Sequence, residues 1–173
     1  MNRPSIMITA FLAIASIISF TYPVLASEKD TQTTIFVLFD NGVNSTLSER
    51  QAKSQMSLSD WMDNDLVRVF GRYSKDGYQA KLIENRKEFI PKPNTYLLTV
   101  KIIEYRPGSK AARIVVGFGA GGVTLKVHYE LSANGTNAIL TKDDSTYSGR
   151  EWITAARKLN QNMAKVVTEK LGN

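Results

Sequence analysis

The sequence predicts an α+β domain: a mostly antiparallel β-sheet of about five to six strands, with a helix after the first strand and a C-terminal helix, both packed on one face. Three observations carry this expectation. A compact apolar run rich in β-formers, Thr34 to Phe39, is followed by apolar residues at helical spacing, Leu58, Met62, Leu66 and Phe70. From Tyr96 to Tyr147 the period falls to two, and Val123, Leu125, Val127, Tyr129 and Leu131 alternate strictly with Thr124, Lys126, His128 and Glu130. The last segment, Gly149 to Leu171, returns to helical spacing.

The first residues stand apart from that domain. Arg3 precedes an almost wholly apolar run from Ile6 to Phe20, and Val24-Leu25-Ala26 offers small residues where a signal peptidase reads. Residues 1–26 are therefore expected to be a secretory signal cut between Ala26 and Ser27, leaving 27–173 as a single domain without a transmembrane span. The rival reading is a retained anchor, because the apolar run with its flank approaches the roughly 20 residues of a membrane helix. Pro23 and the small residues before the cut favour removal. The expected location is the periplasm or the exterior.

Thr34 to Phe39 is too short for a helix and does not alternate, so it reads as a central strand covered on both faces. Asp40-Asn41-Gly42 ends it with turn chemistry. Thr46-Leu47-Ser48-Glu49 has capping-box spacing and predicts a short helix over Glu49 to Gln55. A second helix opens at Ser57 or Ser59, with Asp60, Asp63 and Asp65 favoured in its first turns by the helix dipole. Val69 and Tyr73 extend its apolar side, and Gly77 stops it after Lys75.

Tyr78 to Glu84 is a weaker strand, and Asn85 to Asn94 is a charged loop punctuated by Pro91 and Pro93. Tyr96, Leu98, Val100 and Ile102 line one face of the next strand, and Pro107-Gly108 turns the chain. Ile114, Val116 and Phe118 line another strand, ahead of the alternating Val123 to Leu131. Ser132-Ala133-Asn134-Gly135 makes a hairpin turn, since Asn-Gly supplies positive φ. Ala138 to Tyr147 returns as a more polar strand. The final helix turns Ile153, Ala156, Leu159, Met163, Val166 and Val167 inward and Arg150, Arg157, Lys158, Lys165 and Lys170 outward.

Composition narrows the function classes. The 173 residues, 43% hydrophobic and 22% charged, suit one globular domain rather than a disordered chain or a polytopic membrane protein. With no cysteine, an exported form has neither disulfides nor a lipid-acceptor thiol. Removing Arg3 with the signal leaves 21 basic and 16 acidic side chains, a net charge of +5. Outside the cytoplasm the anionic counterparts are lipid head groups, envelope polysaccharide or an acidic protein, not nucleic acid, and the same excess, like the basic outer face of the last helix, equally suits a solvated, solubilising surface.

No convergent catalytic set emerges. Gly117, Gly119 and Gly122 satisfy GxGxxG, but a dinucleotide site requires that motif to open a helix, and here it opens a strand. The glycines instead suit a bulge, a tight connection or a close backbone approach. His128, the one histidine, lies on a polar strand face, and neither paired histidines nor an HExxH spacing accompanies it, so no metal or cofactor is expected. Asp60, Asp63, Asn64 and Asp65 lack the spacing and glycine of an EF-hand loop. Trp152 reads as a core residue rather than part of a ligand cage.

Gly108-Ser109-Lys110-Ala111-Ala112-Arg113, a short apolar strand, Gly117-Phe118-Gly119-Ala120-Gly121 and then an alternating strand together resemble an uncharacterised bacterial envelope family, domain of unknown function 4410. The resemblance is specific over Gly108 to Leu131 and follows the element order from Thr34 to Leu171. It implies an exported, often lipid-anchored protein in which Gly108, Arg113, Gly117, Gly119 and Gly121 are a structural signature. Two departures stand out: the lipid-acceptor cysteine is missing, and Ser132-Ala133 replaces the aspartate expected after the alternating strand. The expected function is a non-enzymatic domain that binds another envelope protein or an anionic envelope surface, by sheet-edge pairing or helix-face docking. The alternative is a small-ligand binder or hydrolase with a site around Arg113, His128 and the glycine segment.

Overall fold

Thr34 to Phe39 shows no alternation because both of its faces are covered, one fully buried at Ile35 and Val37 and the other half-buried at Phe36 and Leu38. In the computed structural model, which describes residues 32–44, 46–108, 121–133, 135–149 and 151–172, this run is strand β1 (Thr33–Asp40). Ile35 and Val37 enter the main core, while Phe36 and Leu38 face a second cluster made by Ile83, Phe89 and Leu97. The other elements are α1 (Glu49–Phe70), β2 (Tyr78–Ile83), β3 (Thr95–Arg106), β4 (Val123–Ser132), β5 (Ala138–Ser148) and α2 (Trp152–Gly172). The sheet order is β2-β1-β3-β4-β5.

The α+β class holds, but the sheet is mixed rather than mostly antiparallel. β1 is parallel to both of its neighbours, with Ile35 beside Ala80 of β2 and Tyr96 of β3, whereas β3–β4 and β4–β5 are antiparallel. Parallel neighbours need crossovers, and the chain makes two. From β1 to β2 it crosses through α1 on one face. From β2 to β3 it crosses back through residues 84–94 on the other, where Phe89 packs edge-on against Phe36 at 5.5 Å. The charged, proline-punctuated loop is therefore the second cover of β1. Asn85 and Glu88 cap a short 3₁₀ turn within it, Asn85 Oδ1 accepting from the Lys87 amide and Glu88 Oε1 from the Asn85 amide, both at 3.0 Å.

Both helices pack on the opposite face. Leu58, Met62, Leu66, Val69 and Phe70 of α1 meet Ala156, Leu159, Met163, Ala164 and Val167 of α2 over Leu98, Val100, Ile102, Leu125, Val127, Tyr129 and Leu131 of the sheet. The strict alternation of β4 and the expected inner face of β3 are both observed. A β-bulge at Ile103 shifts the phase of β3, so that Tyr105 rather than residue 104 returns to the helix side. In α2, Ile153 and Val166 are only half-buried, and Ala155, Asn160, Ala164 and Thr168 are buried in addition to the expected set.

The two helices expected before β2 are one continuous helix. Its capping box is Ser48 with Gln51, one pair downstream of the Thr46–Glu49 spacing: Gln51 Oε1 accepts from the Ser48 amide at 3.0 Å. The helix ends at Phe70 and continues as a 3₁₀ stretch, Gly71–Asp76, stopped by Gly77 at φ 83°. Asp60, Asp63 and Asp65 consequently sit in its middle and cannot complement its amino-terminal dipole. Asp65 has a different task. It is buried, pairs with Arg68, and accepts a hydrogen bond from Asn160 Nδ2 of α2 at 3.0 Å. The same Asn160 amide donates to the Met62 carbonyl at 2.9 Å, strapping the two helices together.

At the entrance to α1, Gly42 has φ 65°, and its amide donates to Asp40 Oδ1 at 2.9 Å. A Cβ at this position would stand 2.1 Å from the Ile102 carbonyl oxygen. Gln55 Nε2 fixes the same turn by donating to the Asn41 carbonyl at 2.6 Å. At the far hairpin the turn is longer than the four-residue Ser132–Gly135 expectation, because β4 runs through Ser132 and β5 begins only at Ala138. Buried Gly135, at φ 70°, lies against the Phe89 ring. The strand expected around Ile114, Val116 and Phe118 lies outside the described residues, as do residues 1–26. Among the described residues, no helix is long and apolar enough to cross a membrane.

Two substitutions test these contacts by chemical denaturation. Gly42→Ala combines a left-handed residue with a backbone clash and is expected to cost about 2 kcal/mol, with no comparable loss for Gly71→Ala, where added atoms meet open space. Asn160→Ala removes the shared donor and leaves Asp65 and the Met62 carbonyl short of a partner, an expected loss of about 2 kcal/mol. An unchanged denaturation midpoint in either variant contradicts the corresponding assignment.

Candidate functional site

Beyond the Phe89 cover, the outer face of the sheet is wet, and the antiparallel register fixes which side chains meet on it. Lys101 of β3, His128 of β4 and Asp143 of β5 lie directly abreast. His128 Nδ1 is 2.6 Å from Asp143 Oδ1, and Nε2 is 3.2 Å from Glu130 Oε1. Each ring nitrogen thus faces a carboxylate, an arrangement that suits the doubly protonated imidazolium. Asp143 first, and Glu130 second, raise the His128 pKa above its ordinary value, although the ring remains about a third exposed.

The rest of this face pairs its charges in the same way. Lys101 Nζ lies 3.2 Å from Asp40 Oδ2. Glu104 receives Lys126 Nζ and Arg106 Nε, each at 2.8 Å. The Gly42 amide, then Lys101, hold the Asp40 carboxyl below its usual range, and Lys126 does the same for Glu104. The four carboxylates Asp40, Glu104, Glu130 and Asp143 face three permanent cations, with His128 as the fourth base. The bulge at Ile103 is what brings Glu104 opposite Lys126.

The helix layer presents a different surface. Arg157, Lys158, Lys165 and Lys170 of α2 are all exposed, as expected from the sequence. Between Trp152 and Gly172 the one acidic residue is Glu169, 3.7 Å from Lys165. Arg157 lies over the Trp61 ring at 5.6 Å from its centroid, and Trp61 meets Trp152 edge to face at 5.6 Å. Trp152 is accordingly a half-buried packing residue that ties the start of α2 to α1.

The underside of β5 is also polar. Lys142, Asp144, Thr146 and Ser148 share the face that carries Leu140 towards α2, beside Tyr129 of β4. Tyr129 Oη, Asp144 Oδ2 and Thr146 Oγ1 are buried and have no hydrogen-bond partner among the described residues. Burial, with the nearby Asp144 charge, pushes the Tyr129 phenol up to about 12.

Of the residues singled out in the sequence, Gly108 and Gly121 have positive φ, 74° and 69°, and a Cβ on Gly108 would stand 2.3 Å from the Gly121 carbonyl oxygen. The two ends of this connection approach backbone to backbone. Gly122 lies under the Tyr147 ring and leads directly into β4, so the glycine motif opens a strand and not a helix. Arg113, Gly117 and Gly119, like Ala26 and Ser27, lie outside the described residues. Among the described residues, the side-chain partners of His128 are Asp143 and Glu130. Sequence reasoning placed Glu130 on the same face but missed Asp143, which only the β4–β5 register identifies.

Among solved structures, the chain is similar to a dodecamer of a PelC variant from Paraburkholderia phytofirmans, with 15% identity, a TM-score of 0.45, and coverage of 76% of this chain and 83% of that one. A second PelC dodecamer from the same organism gives 17% identity and a TM-score of 0.42, covering 76% and 85%. Uncharacterised lipoprotein B from Nitrosomonas europaea gives 12% identity and a TM-score of 0.26, covering 82% and 77%. No curated protein matches the chain. The family model for the domain of unknown function DUF4410 matches residues 39–171, from the end of β1 almost to the end of α2, and the chain belongs to that family.

Proposed function

We propose that this chain is an exported, non-enzymatic envelope domain that binds an anionic envelope component through the outer face of α2. The observation that carries this reading is the contrast between its two charged surfaces. On the open sheet face each carboxylate meets a base, so those charges largely satisfy one another. On α2 four cations face one acid over Trp152–Gly172, a local excess of +3. Lys158 and Lys170 have no carboxylate within ion-pair distance among the described residues. A helix face with unspent positive charge favours an anionic partner and speeds its encounter.

The amino-terminal sequence supports export, with Arg3, the apolar run and the small residues before Ser27 in the order of a secretory signal. A binding role suits the histidine as well. Both His128 nitrogens are engaged by carboxylates on a charged strand face, which leaves the ring without a free nitrogen to act as a base.

Photo-crosslinking in intact cells tests the proposal. A photoreactive side chain at Gln161, between the α2 cations, is expected to capture an envelope component, and one at Thr141 on the open sheet face is not. Reversing Lys158 and Lys165 to glutamate is expected to weaken capture by roughly tenfold or more, given about 1 kcal/mol per cation at an anionic surface. Equal capture from both faces, or capture indifferent to the charge reversal, rules out α2 docking. Mass spectrometry of the mature chain tests export separately, with a start at Ser27 as the expected result.

A further inference from the structure

We infer that His128 is a proton-operated fastener of strand β5: as the imidazolium it ties Asp143 of β5 and Glu130 of β4 to one ring, and loss of a proton frees one of these carboxylates and loosens β5. The geometry requires this asymmetry. A neutral imidazole has one N–H, so it can donate to one carboxylate only and turns a lone pair towards the other. Both contacts, at 2.6 and 3.2 Å, are made together only in the charged form.

Strand β5 depends on this outer contact because its underside is poorly secured. Lys142, Asp144 and Thr146 replace the apolar residues that anchor β3 and β4 to the helices. Asp144 Oδ2 and Thr146 Oγ1 are buried without a hydrogen-bond partner among the described residues, as is the neighbouring Tyr129 Oη, and such groups weaken attachment. On the outer face Asp143 is directly opposite His128, so the fastener joins β5 to β4 at the middle of their ladder.

Among the described residues, the charged groups facing the ring come from three strands. Lys101 lies abreast of it on β3 and is paired with Asp40. On β4, Lys126 is paired with Glu104, and Glu130 touches the ring itself. On β5 the group is Asp143. With His128 protonated the four acids of this face meet four bases; deprotonation leaves one negative charge in excess.

The direction of the His128 shift sets the sign of the pH dependence. A folded-state pKa raised above 6.5 makes the contribution full below the unfolded value and removes it as pH rises through the higher folded value. The chain has one histidine and no cysteine, so few groups compete in that window.

Hydrogen exchange of the full chain between pH 5.5 and 8.5, expressed as protection relative to intrinsic rates, reads the fastener strand by strand. The expected wild-type result is a several-fold loss of protection at Thr141 to Ser145 with rising pH, while buried α2 amides such as Leu159 and Met163 keep theirs. His128→Gln is expected to show weak β5 protection at every pH, and Asp143→Asn to move the histidine ring titration to lower pH. His128→Lys, which keeps a permanent charge opposite Asp143, is expected to hold β5 protection across the range. A wild-type β5 profile that is flat, or that persists unchanged in His128→Gln, overturns the inference.

Discussion

Strand β1 must be buried on both faces, and most of the architecture follows from that. Its side chains are apolar in both directions, Ile35 and Val37 on one side and Phe36 and Leu38 on the other. Neither set can be left to water, since each fully buried large apolar side chain contributes on the order of 2 kcal/mol. The chain meets the demand by placing β1 between parallel neighbours and reaching them over opposite faces. One crossover is α1; the other is the 84–94 loop, whose Phe89 closes the second cluster. Pro91 and Pro93 cost nothing there, because a crossover makes no ladder hydrogen bonds.

The same arrangement divides the molecule into a covered and an open half. Phe89 shields β1 and the start of β3, but nothing described covers the outer sides of β4 and β5. Polar side chains occupy that surface in cross-strand pairs, where opposite charges add a few tenths of a kcal/mol each. Their value lies less in stability than in register. A one-residue slip would move His128 from Asp143 and drive Val127 and Tyr129 out of the core.

Polarity inside the fold is handled unevenly. Between the helices, Asn160 answers Asp65 and the Met62 carbonyl with a single amide, so a buried carboxylate becomes part of the helix–helix contact. Beneath β5 three buried oxygens find no partner among the described residues, and between the helices the Asn160 Oδ1 finds none either. The exposed side of α2 carries four cations to one acid, so the helix is at once a core element and a basic surface.

Periodicity alone determined the element types. Strict alternation identified β4, helical spacing identified α2, and an apolar run too short for a helix identified β1 as a strand covered twice. These signals are local, because burial of one face imposes its period directly on the chain. That Gly122 leads into a strand rather than a helix was legible for the same reason, since the residues from Val123 onward alternate. Tertiary structure alone decided that β1 runs parallel to both neighbours, because strand direction depends on which face a loop crosses and not on composition. It also decided that Asp65 is buried against Asn160, 95 residues away, and that Asp143 meets His128. Such pairings are set by helix packing and strand register, which bring together residues whose separation in the chain carries no periodic trace.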